Sequence, residues 1–393
     1  MKFETMRIAD LISEISMGPF GSNIKVECFV DEGIPVLNGS NLDGFVLKEN
    51  SFRYVTEEKA DSLGKANAHR GDVVITHRGT LGQIVFIPED SLYDRYVISQ
   101  SQFRVKCNEK ILPEYLVYYF HTRIGQHKLL SNASQVGVPA LARASTTFQT
   151  IEIDVPDVKS QRKIIDSLET IRRKIEVNNA INENLLQQAG AIFDRFYENS
   201  PNLQPFTSLI SVLGGGTPKT GNPDFWNGLI PFFTPKDVGT PYTFQTEKYI
   251  TESGLTHCNS RLYQKDTTFV TARGTVGKVS LAGAPMAMNQ SCYALVSETV
   301  DPLLVYFYVL KAVASLKHKA SGAVFDAIVT RDFDSETINI LSDDDSKMVL
   351  SIIKPMMDTI HNNSQENMRL AALRDSLLPK LMSGELDVSE LDH

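Results

Sequence analysis

The stretch SQRKIIDSLETIRRKIEVNNAINENLLQQAGAIFDRFY, residues 160–197, has the pattern of a long helix that pairs with a second helix. Apolar side chains recur along it at alternating steps of four and three residues, as in the seam of a coiled coil. The apolar seam positions are Ile164, Leu168, Ile171, Ile175, Leu185, Ala189, Ile192 and Phe196. Two asparagines, Asn178 and Asn182, occupy the two remaining seam positions near the middle of the helix.

The same seam returns 185 residues later in the chain, with asparagines at the same two positions. Its members are Val349, Ile353, Met356, Ile360, Asn363, Asn367, Leu370, Arg374, Leu377 and Leu381. A polar pair inside an apolar seam costs stability but fixes the register of the pairing. We therefore predict that the two helices pair antiparallel and that Asn178 and Asn182 meet Asn363 and Asn367 in a shared polar layer. The alternative is two unrelated helices, each packed on its own domain.

Length and composition are those of a globular protein with two or three domains. The chain has 393 residues, of which 42% are hydrophobic and 22% charged. No apolar run reaches the length of a membrane span, and the N-terminus lacks a signal-peptide pattern, so we expect a cytoplasmic protein with no membrane partner. The cysteines have no zinc-site spacing, and we expect no metal site. A net charge of −8 argues against coating nucleic acid by charge alone, but not against a sequence reader whose partners supply phosphate contacts.

An internal repeat divides the chain into two halves. THRGTLGQIVFIP (76–88) corresponds to TARGTVGKVSLAG (271–283), and SQS (99–101) corresponds to NQS (289–291). We therefore predict two homologous α/β domains, each followed by a long helix. The predicted segments are a first domain at 1–157, a first spacer helix at 158–200, a second domain at 201–345, a second spacer helix at 346–386, and a frayed tail at 387–393.

The motifs of common enzymes are missing. LGGGTPKTGNP (213–223) resembles a phosphate loop, but Lys219 lies inside the spacer and no Gly-Lys-Ser/Thr follows. A loop that offers backbone amides and Lys219 to a polyanion stays open. We find no adenine methyltransferase motif and no nucleophile motif, and Asp157 is explained more simply as a helix cap. The sequence therefore predicts a protein that is not an enzyme and has no catalytic residues.

Two repeated features could contact DNA. Arg78 and Arg273 follow a strand and open R-G-T-x-G turns, where a guanidinium could reach a phosphate or a guanine edge. The alternative is a structural turn with a surface arginine. The stretches His121–Lys128 and Leu310–Lys319 carry several cations and no acidic residue. They fit phosphate contacts, or equally cations that complement the end of a helix.

In this order of elements the chain resembles the specificity (S) subunits of type I restriction-modification systems. The resemblance covers essentially the whole chain and rests on these segments: GPFGS (18–22), RGTLG (78–82), ISQSQ (98–102), VPDVKSQRKI (155–164), GGTPKTGNPDFWNG (215–228), RGTVG (273–277), NQS (289–291) and LLPKLMSGEL (377–386). The chain departs from the family at Ser160, where an acidic residue is usual, and the second helix start (342–350) lacks the family's glutamine. Pro355 also falls early in the second helix, where it should kink or delay it.

The resemblance implies an α+β fold with two homologous target recognition domains joined by two long antiparallel coiled-coil helices, related by a pseudo-twofold internal repeat. It implies a non-catalytic subunit that reads a bipartite double-stranded DNA target and recruits two methyltransferase (M) subunits and restriction (R) subunits. S-adenosylmethionine, ATP and Mg²⁺ would belong to those partners, with no cofactor bound by this chain. The alternative is a scaffold of the same architecture, a silent or degenerate S subunit, that does not read DNA.

We predict a set of DNA contacts and a set of spacer residues. The predicted DNA contacts are Ser22, Arg78, Thr80, Gln100, Arg123, Lys128, Gln135, Arg143, Thr217, Lys219, Lys236, Arg273, Thr275, Lys278, Gln290, Lys317, Lys319 and Arg331. The residues predicted to set the spacer register and to form the platform for the M subunits are Asn178, Asn182, Asn363 and Asn367. A helix over 160–197 would span about 57 Å, whereas half-sites one DNA turn apart are separated by roughly 34 Å.

Overall fold

The structure is a computed structural model that describes residues 1–134, 138–319 and 327–388, without the side chain of Ser22. The predicted contacts of Ser22 and Gln135 therefore lie outside the described residues. The chain forms two compact units, Met1–Arg173 with Leu370–His393, and Lys174–Arg369. Each unit contains one globular domain and a segment of both long helices.

The first long helix spans Val158–Asn199 and the second spans Asp343–Ser383. The Asp157 carboxylate caps the first, accepting hydrogen bonds from the backbone N–H of Ser160 at 3.0 Å and from its hydroxyl at 2.8 Å. These bonds hold the pKa of Asp157 below its ordinary value. Ser342 caps the second helix, because its Oγ accepts from the backbone N–H of Asp345 at 3.1 Å.

The expectation that Pro355 would delay the second helix is wrong, because this helix begins at Asp343. Proline removes one backbone hydrogen bond and crowds the preceding turn. Here the turns before Pro355 are stabilised by packing, since Val349 and Ile353 are fully buried in the core of the second domain.

The first domain contains two larger sheets and an edge ribbon. One sheet has the strand order Ile12–Met17, Gln102–Cys107, Asp72–Thr76 and Ile84–Phe86, with antiparallel neighbours. The other has the order Phe29–Val30, Arg53–Val55, Ile34–Val36, Arg95–Val97 and Asn67–His69. The ribbon pairs Phe3–Arg7 with Glu152–Pro156, and a short hairpin pairs Ala133–Ser134 with Ala140–Leu141. The shorter helices are Glu57–Ser62, Pro113–His121, Arg123–Leu130 and Ala144–Thr150.

The second domain repeats this plan. Its main sheet has the order Ser211–Gly214, Cys292–Val296, Thr268–Thr271, Val279–Ala282 and Tyr242–Thr243. A smaller sheet has the order Tyr249–Ile250, Trp226–Phe233 and Ala287–Met288, and an edge ribbon pairs Leu203–Pro205 with Thr337–Asn339. The shorter helices are Glu252–Thr256, Pro302–Lys319 and Thr330–Asp334. Because four strands occur in the same order in both main sheets, the predicted duplication is confirmed.

Buried side chains join each domain to the long helices. In the first unit, Ile164 and Leu168 of the first helix and Leu381 of the second lie in the domain core. Gln161 is fully buried. It accepts from the backbone N–H of Leu112 at 2.9 Å and donates to the carbonyls of Lys110 and Pro156 at 2.8 and 2.9 Å. One side chain therefore fixes the start of the first helix against its domain.

The start of the predicted tail is packed rather than frayed. Val388 is 2% exposed and belongs to the core of the first unit. The Asp387 carboxylate pairs with the N-terminal ammonium of Met1 at 2.5 Å. The prediction of a frayed tail is therefore wrong for these two residues, and residues 389–393 lie outside the described part of the chain.

Candidate nucleic-acid interface

Three segments of the first domain meet at one surface, which we name the first loop cluster: residues 18–22, 77–82 and 99–101. The backbone N–H of His77 donates to the carbonyl of Ser101 at 2.8 Å, and that of Gly18 donates to the carbonyl of Gln102 at the same distance. The hairpin strand Ala140–Leu141 joins them, since the N–H of Leu141 donates to the carbonyl of His77 at 2.9 Å. Backbone hydrogen bonds therefore hold the arginine turn between the other segments.

The second domain builds an equivalent second loop cluster from residues 215–219, 272–277 and 289–291. The N–H of Ala272 donates to the carbonyl of Ser291 at 2.8 Å, and its carbonyl accepts from Ile328 at 2.9 Å. Arg273 and Ala327 form an isolated antiparallel bridge, as Arg78 and Ala140 do in the first domain. The segments that the sequence repeat singled out are thus brought together twice, by matching backbone contacts.

The glycines of the two arginine turns have positive φ angles, a conformation that glycine adopts easily. Gly79 and Gly82 have φ angles of +92° and +89°, and Gly274 and Gly277 have +83° and +71°. At the second glycine of each turn, the neighbouring helix places the end of a long side chain close to the backbone. A Cβ atom would lie 2.4 Å from Gln126 Oε1 at Gly82 and 2.5 Å from Lys317 Cε at Gly277. The positive φ angles and the backbone hydrogen bonds of the preceding residue together hold each turn in place, close to the neighbouring helix.

Each loop cluster exposes one arginine and one glutamine. Arg78, Gln100, Arg273 and Gln290 are all exposed. Among the described residues, neither Arg78 nor Arg273 has an ion-pair partner. An unpaired guanidinium on a rigid turn is available to bind a phosphate or a guanine edge, and glutamine can bond the edge of adenine.

The two clusters differ in side-chain chemistry. The Thr217 hydroxyl donates to Gln290 Oε1, so the amide of Gln290 has a fixed orientation. In the first cluster, the imidazole Nε2 of His77 lies 3.2 Å from the backbone carbonyl of Gln100. Burial lowers the pKa of His77 below its ordinary value, so this ring is neutral at neutral pH. The equivalent position in the second cluster is Ala272, which has no such group.

Two of the predicted cationic contacts are held by their own domains. Lys128 Nζ donates to the carbonyl of Glu152 at 2.6 Å and to the hydroxyl of Tyr119 at 3.1 Å. Lys319 pairs with Glu336 at 2.6 Å, and the Glu336 side chain is only 2% exposed. Both lysines therefore anchor a helix end beside the edge ribbon of their domain, and the structure gives them a structural role where the sequence suggested DNA contact.

Lys317 and Lys236 lie beside the second arginine turn. The Lys317 side chain packs over Gly277, where the first domain has the uncharged Gln126. Lys236 and Arg273 line one concavity of about 360 Å³. That concavity also contains Lys248, a cation that the sequence analysis missed, and Glu247, which pairs with Lys236 at 3.6 Å. The second cluster therefore concentrates positive charge in an otherwise acidic chain.

The remaining predicted contacts are distributed unevenly. Thr80, Lys219, Thr275 and Lys278 are exposed within or next to the clusters. Arg143 and Arg331 are exposed shortly after the strand residues that bond the arginine turns. Arg143 has φ +48° and ψ +48°, a left-handed conformation that is uncommon for arginine. Arg123 lies elsewhere and lines a concavity with Lys128, so it is not brought together with the turn.

The asparagines of the two seams meet in the second unit. Asn178 Nδ2 donates to Asn367 Oδ1 at 2.8 Å, and Asn363 Nδ2 donates to Asn182 Oδ1 at 2.9 Å. Residue numbers rise on one helix as they fall on the other, so these helix segments run antiparallel. Asn178 and Asn182 are 1% and 9% exposed. The asparagines therefore meet as predicted, and their effect on register stays a prediction.

Four further residues belong to this polar layer or pair with it, and the seam pattern missed them. Asn178 also donates to Glu366 Oε2 at 2.8 Å, and Lys174 lies 3.4 Å from the same carboxylate. Asn182 donates to Ser364 Oγ at 3.3 Å, and Asn367 donates to Asn179 Oδ1 at 2.8 Å. Asn179, Ser364 and Glu366 each stand one residue away from a seam asparagine. A polar residue at such a position could have been predicted to extend the polar layer.

Across residues 1–134, 138–319 and 327–388, no group of three or more His, Cys, Asp or Glu side chains could hold a metal ion. In the same ranges no helix has both the length and the apolar character needed to cross a membrane.

Comparison with known proteins gives a consistent result. The family described as the type I restriction modification DNA specificity domain matches residues 2–187 and 207–371. The type I restriction enzyme HindI specificity subunit of Haemophilus influenzae is 22% identical, over 87% of this chain and 93% of that protein. The MjaIX specificity subunit of Methanocaldococcus jannaschii is 28% identical over 172 residues, which are 42% of this chain and only 40% of that protein.

A solved structure has the same fold over nearly the whole chain. The crystal structure of the type I restriction-modification S subunit from M. genitalium superposes with a TM-score of 0.59 at 13% identity, covering 97% of this chain and 96% of that chain. At this identity the likeness concerns the fold alone. The family match, however, occurs twice, once over each domain with its loop cluster. The chain therefore belongs to the type I restriction-modification DNA specificity family.

Proposed function

We propose that each domain reads one half of a split double-stranded DNA target through its loop cluster, and that the paired long helices set the distance between the half-sites. The family supplies DNA specificity and is not catalytic. The observation that carries the proposal is the duplication of the loop clusters. Each exposes an unpaired arginine and a glutamine on segments held by equivalent backbone hydrogen bonds.

The chemistry of these side chains suits the edges of bases. Arginine can bond the O6 and N7 atoms of guanine together, and glutamine can bond N6 and N7 of adenine. Rigid turns keep the side chains in place before binding, so less conformational entropy is lost on binding. We assign base contacts to Arg78 and Gln100 in one half-site, and to Arg273 and Gln290 in the other.

Phosphate contacts fall to the cations around the clusters. On this chain we retain Lys219, Lys236, Lys317 and the newly found Lys248. The pair of Lys236 with Glu247 is long, at 3.6 Å, and both side chains are exposed. We remove Lys128 and Lys319 because their ammonium groups are held at 2.6 Å by a backbone carbonyl and by a buried carboxylate. With a net charge of −8, the chain cannot supply most of the electrostatic affinity by itself. We propose that two M subunits, and R subunits where present, complete the DNA clamp and bring S-adenosylmethionine, ATP and Mg²⁺.

Exchange of the first domain tests the division of labour. Residues 1–157 would be replaced by the first domain of another family member, and the methylated motif would be mapped in a host genome. We expect one half of the motif to change while the other half and the gap stay the same. A change in both halves, or in neither, would contradict the proposal. A complex that assembles with M subunits but methylates no defined motif would support a scaffold without DNA readout.

Single substitutions test the assignment of base contacts. Arg78→Ala should relax one position of the first half-site, and Arg273→Ala one position of the second. A lost bidentate contact should cost about 1–3 kcal/mol of binding free energy. Lys128→Ala is the matched control, because it removes a cation that we place outside the contact set. If Arg78→Ala and Lys128→Ala gave the same motif and affinity as wild type, Arg78 would not read DNA.

An insertion tests the spacing role of the helices. Four residues, about one helical turn or ~6 Å of rise, would be inserted after Arg173 and after Arg369, so that both helices lengthen together. The seam keeps its facing, and the non-specific gap should grow by one or two base pairs, because DNA rises ~3.4 Å per base pair. Insertion of two residues at the same places would rotate the seam by about 200° and should instead abolish assembly. An unchanged gap in a folded four-residue variant would exclude a spacing role.

A further inference from the structure

Phe20 is an unusually exposed aromatic side chain in the first loop cluster. Its side chain is 83% exposed, although it belongs to a large apolar residue type. Single exposed apolar residues are common on protein surfaces and need no explanation by themselves. Phe20 differs from a scattered surface residue in two respects. Its loop packs closely against residues 99–102, and it adjoins Gln100.

The loop that carries Phe20 packs closely against residues 99–102, against their backbone at Gly18 and against the Gln100 side chain at Gly21. At Gly18 a Cβ atom would lie 1.9 Å from the carbonyl oxygen of Ser99, so only glycine fits there. At Gly21 a Cβ atom would lie 2.1 Å from Oε1 of Gln100. The N–H of Asn23 closes the turn by donating to the carbonyl of Phe20 at 2.8 Å. The backbone therefore presents the ring from a fixed position.

The loop that carries Phe20 adjoins a residue assigned to DNA. Gln100 touches the adjacent glycine, and its backbone carbonyl accepts from His77, the residue before Arg78. In the second cluster, Gly215 makes the close approach that Gly18 makes in the first, since its Cβ would lie 2.1 Å from the carbonyl of Asn289. Counting from these glycines, the residue equivalent to Phe20 is Thr217, whose hydroxyl bonds Gln290.

We propose that Phe20 is an apolar wedge that inserts at one base step of the first half-site, with no counterpart in the second. This inference rests on the proposed function and adds a residue and a deformation of the DNA to it. Apolar side chains that enter a base step unstack it partly and favour sequences in which unstacking is easy. A duplex is the expected occupant because Phe20 belongs to the same loop cluster as Gln100 and the unpaired Arg78, the two residues assigned to bases of the first half-site.

The test uses the complete complex of this chain with its M subunits and duplexes that contain the target mapped from wild-type methylation. 2-Aminopurine, whose fluorescence rises when it is unstacked, would replace each adenine of the two half-sites in turn. The adenines that the M subunits methylate are left out, because methyltransferases flip their target base out of the duplex. Among the other adenines we expect a rise of several-fold at one position, in the first half-site only. In Phe20→Ala the rise should disappear and affinity should fall on the order of 10-fold, the scale of losing one aromatic contact to a base.

Leu92→Ala is the matched control, because Leu92 is 73% exposed in the same domain but belongs to none of the three segments. It should behave as wild type. Wild-type fluorescence and affinity in Phe20→Ala would overturn the inference, and so would weaker recovery of M subunits with unchanged DNA binding by the assembled complex, which would assign the ring to a protein interface. If wild type itself bound the mapped target no better than unrelated DNA, the proposed function would fail first, and the two failures are distinct.

Discussion

Breaking the polar layer one side at a time should reveal an energetic coupling between the two long helices. Asn178 donates to Asn367 Oδ1 and to Glu366 Oε2, each at 2.8 Å, and is 1% exposed. We consider Asn178→Leu, Asn367→Leu and the double variant as a double-mutant cycle. If the amides bond across the helices, the second substitution should cost less after the first has been made.

The magnitude follows from the partners that each substitution leaves behind. Asn178→Leu removes two hydrogen bonds worth about 1 kcal/mol each. Because Glu366 keeps Lys174 and is half exposed, the net loss should be about 1–2 kcal/mol. Asn367→Leu also removes two hydrogen bonds, but the buried Asn178 keeps Glu366 as an acceptor, and water replaces the bond to the exposed Asn179. That variant should therefore lose about 1 kcal/mol. In the double variant two leucines face each other, and we expect a coupling of about 1–2 kcal/mol.

The assay is urea unfolding followed by tryptophan fluorescence. The chain has one tryptophan, Trp226, and it lies in the same compact unit as the polar layer. The signal therefore reports the unfolding of the unit that contains the substitutions. The control cycle uses Asn184→Leu and Asn362→Leu, two exposed asparagines on the same helices, whose effects should add.

Additivity of Asn178→Leu and Asn367→Leu within about 0.5 kcal/mol, equal to that of the control pair, would refute the bonding across the layer. A further variant separates stability from register. Replacing all four seam asparagines with leucine should stabilise the pairing, because apolar burial replaces amide contacts. It should also make shifted pairings similar in energy. We expect the methylated motif of that variant to show more than one gap length.

Four other substitutions test individual contacts. Gln161→Ala should lower the free energy of unfolding of the first unit by about 3 kcal/mol, because backbone groups of Leu112, Lys110 and Pro156 lose their partner. Urea unfolding followed by hydrogen exchange in strand Glu152–Pro156 would measure this loss. An effect under about 1 kcal/mol would contradict the expectation. Lys319→Ala should destabilise the second unit by about 1–3 kcal/mol, since it leaves the buried Glu336 carboxylate unpaired. Lys317→Ala should instead leave stability unchanged and lower the salt dependence of DNA binding by about one unit. The reverse pattern would exchange the roles of the two lysines. Burial lowers the pKa of His121 from its ordinary value of 6.5. Wild type should therefore lose stability relative to His121→Gln as the pH falls below 6.5, and it should keep its stability at higher pH. Equal pH profiles of the two proteins in hydrogen exchange of strand Ile84–Phe86 would exclude this.

The periodic part of the fold was readable from the sequence because it repeats. A seam of ten positions that returns with both asparagines in place gave the two long helices and their pairing. Near the globular domains the seam shifts by one residue, since Phe193 and Met357 are fully buried whereas Ile192 and Met356 are only partly buried. There the helices pack on a domain core, and the 3.6-residue period of a straight helix replaces the seam's 3.5.

The backbone turns of the loop clusters were predictable from the sequence, whereas the roles of the surrounding side chains were less so. The R-G-T-x-G turns mark the loop clusters because their glycines need positive φ angles, which the letters of the sequence reveal. The sequence did not distinguish lysines that lie at the arginine turn from lysines that are held in ion pairs. Lys317 and Lys319 stand two residues apart on one helix, yet one packs over the turn and the other neutralises a buried carboxylate. Only the position of Glu336, distant in sequence from the turn, decides between these roles.

The two loop clusters share a backbone arrangement but expose different side chains. Equivalent backbone bonds hold the two clusters, so corresponding side chains start from corresponding positions. Those side chains differ: Phe20 corresponds to Thr217 and His77 to Ala272, and the Gln100 amide lacks the threonine hydroxyl that orients Gln290. Readers that differ at these positions present different donors, acceptors and apolar groups to the bases. A split target read by this chain should therefore have two unlike half-sites, and a mapped motif that is an inverted repeat would mean that bases are read outside the loop clusters.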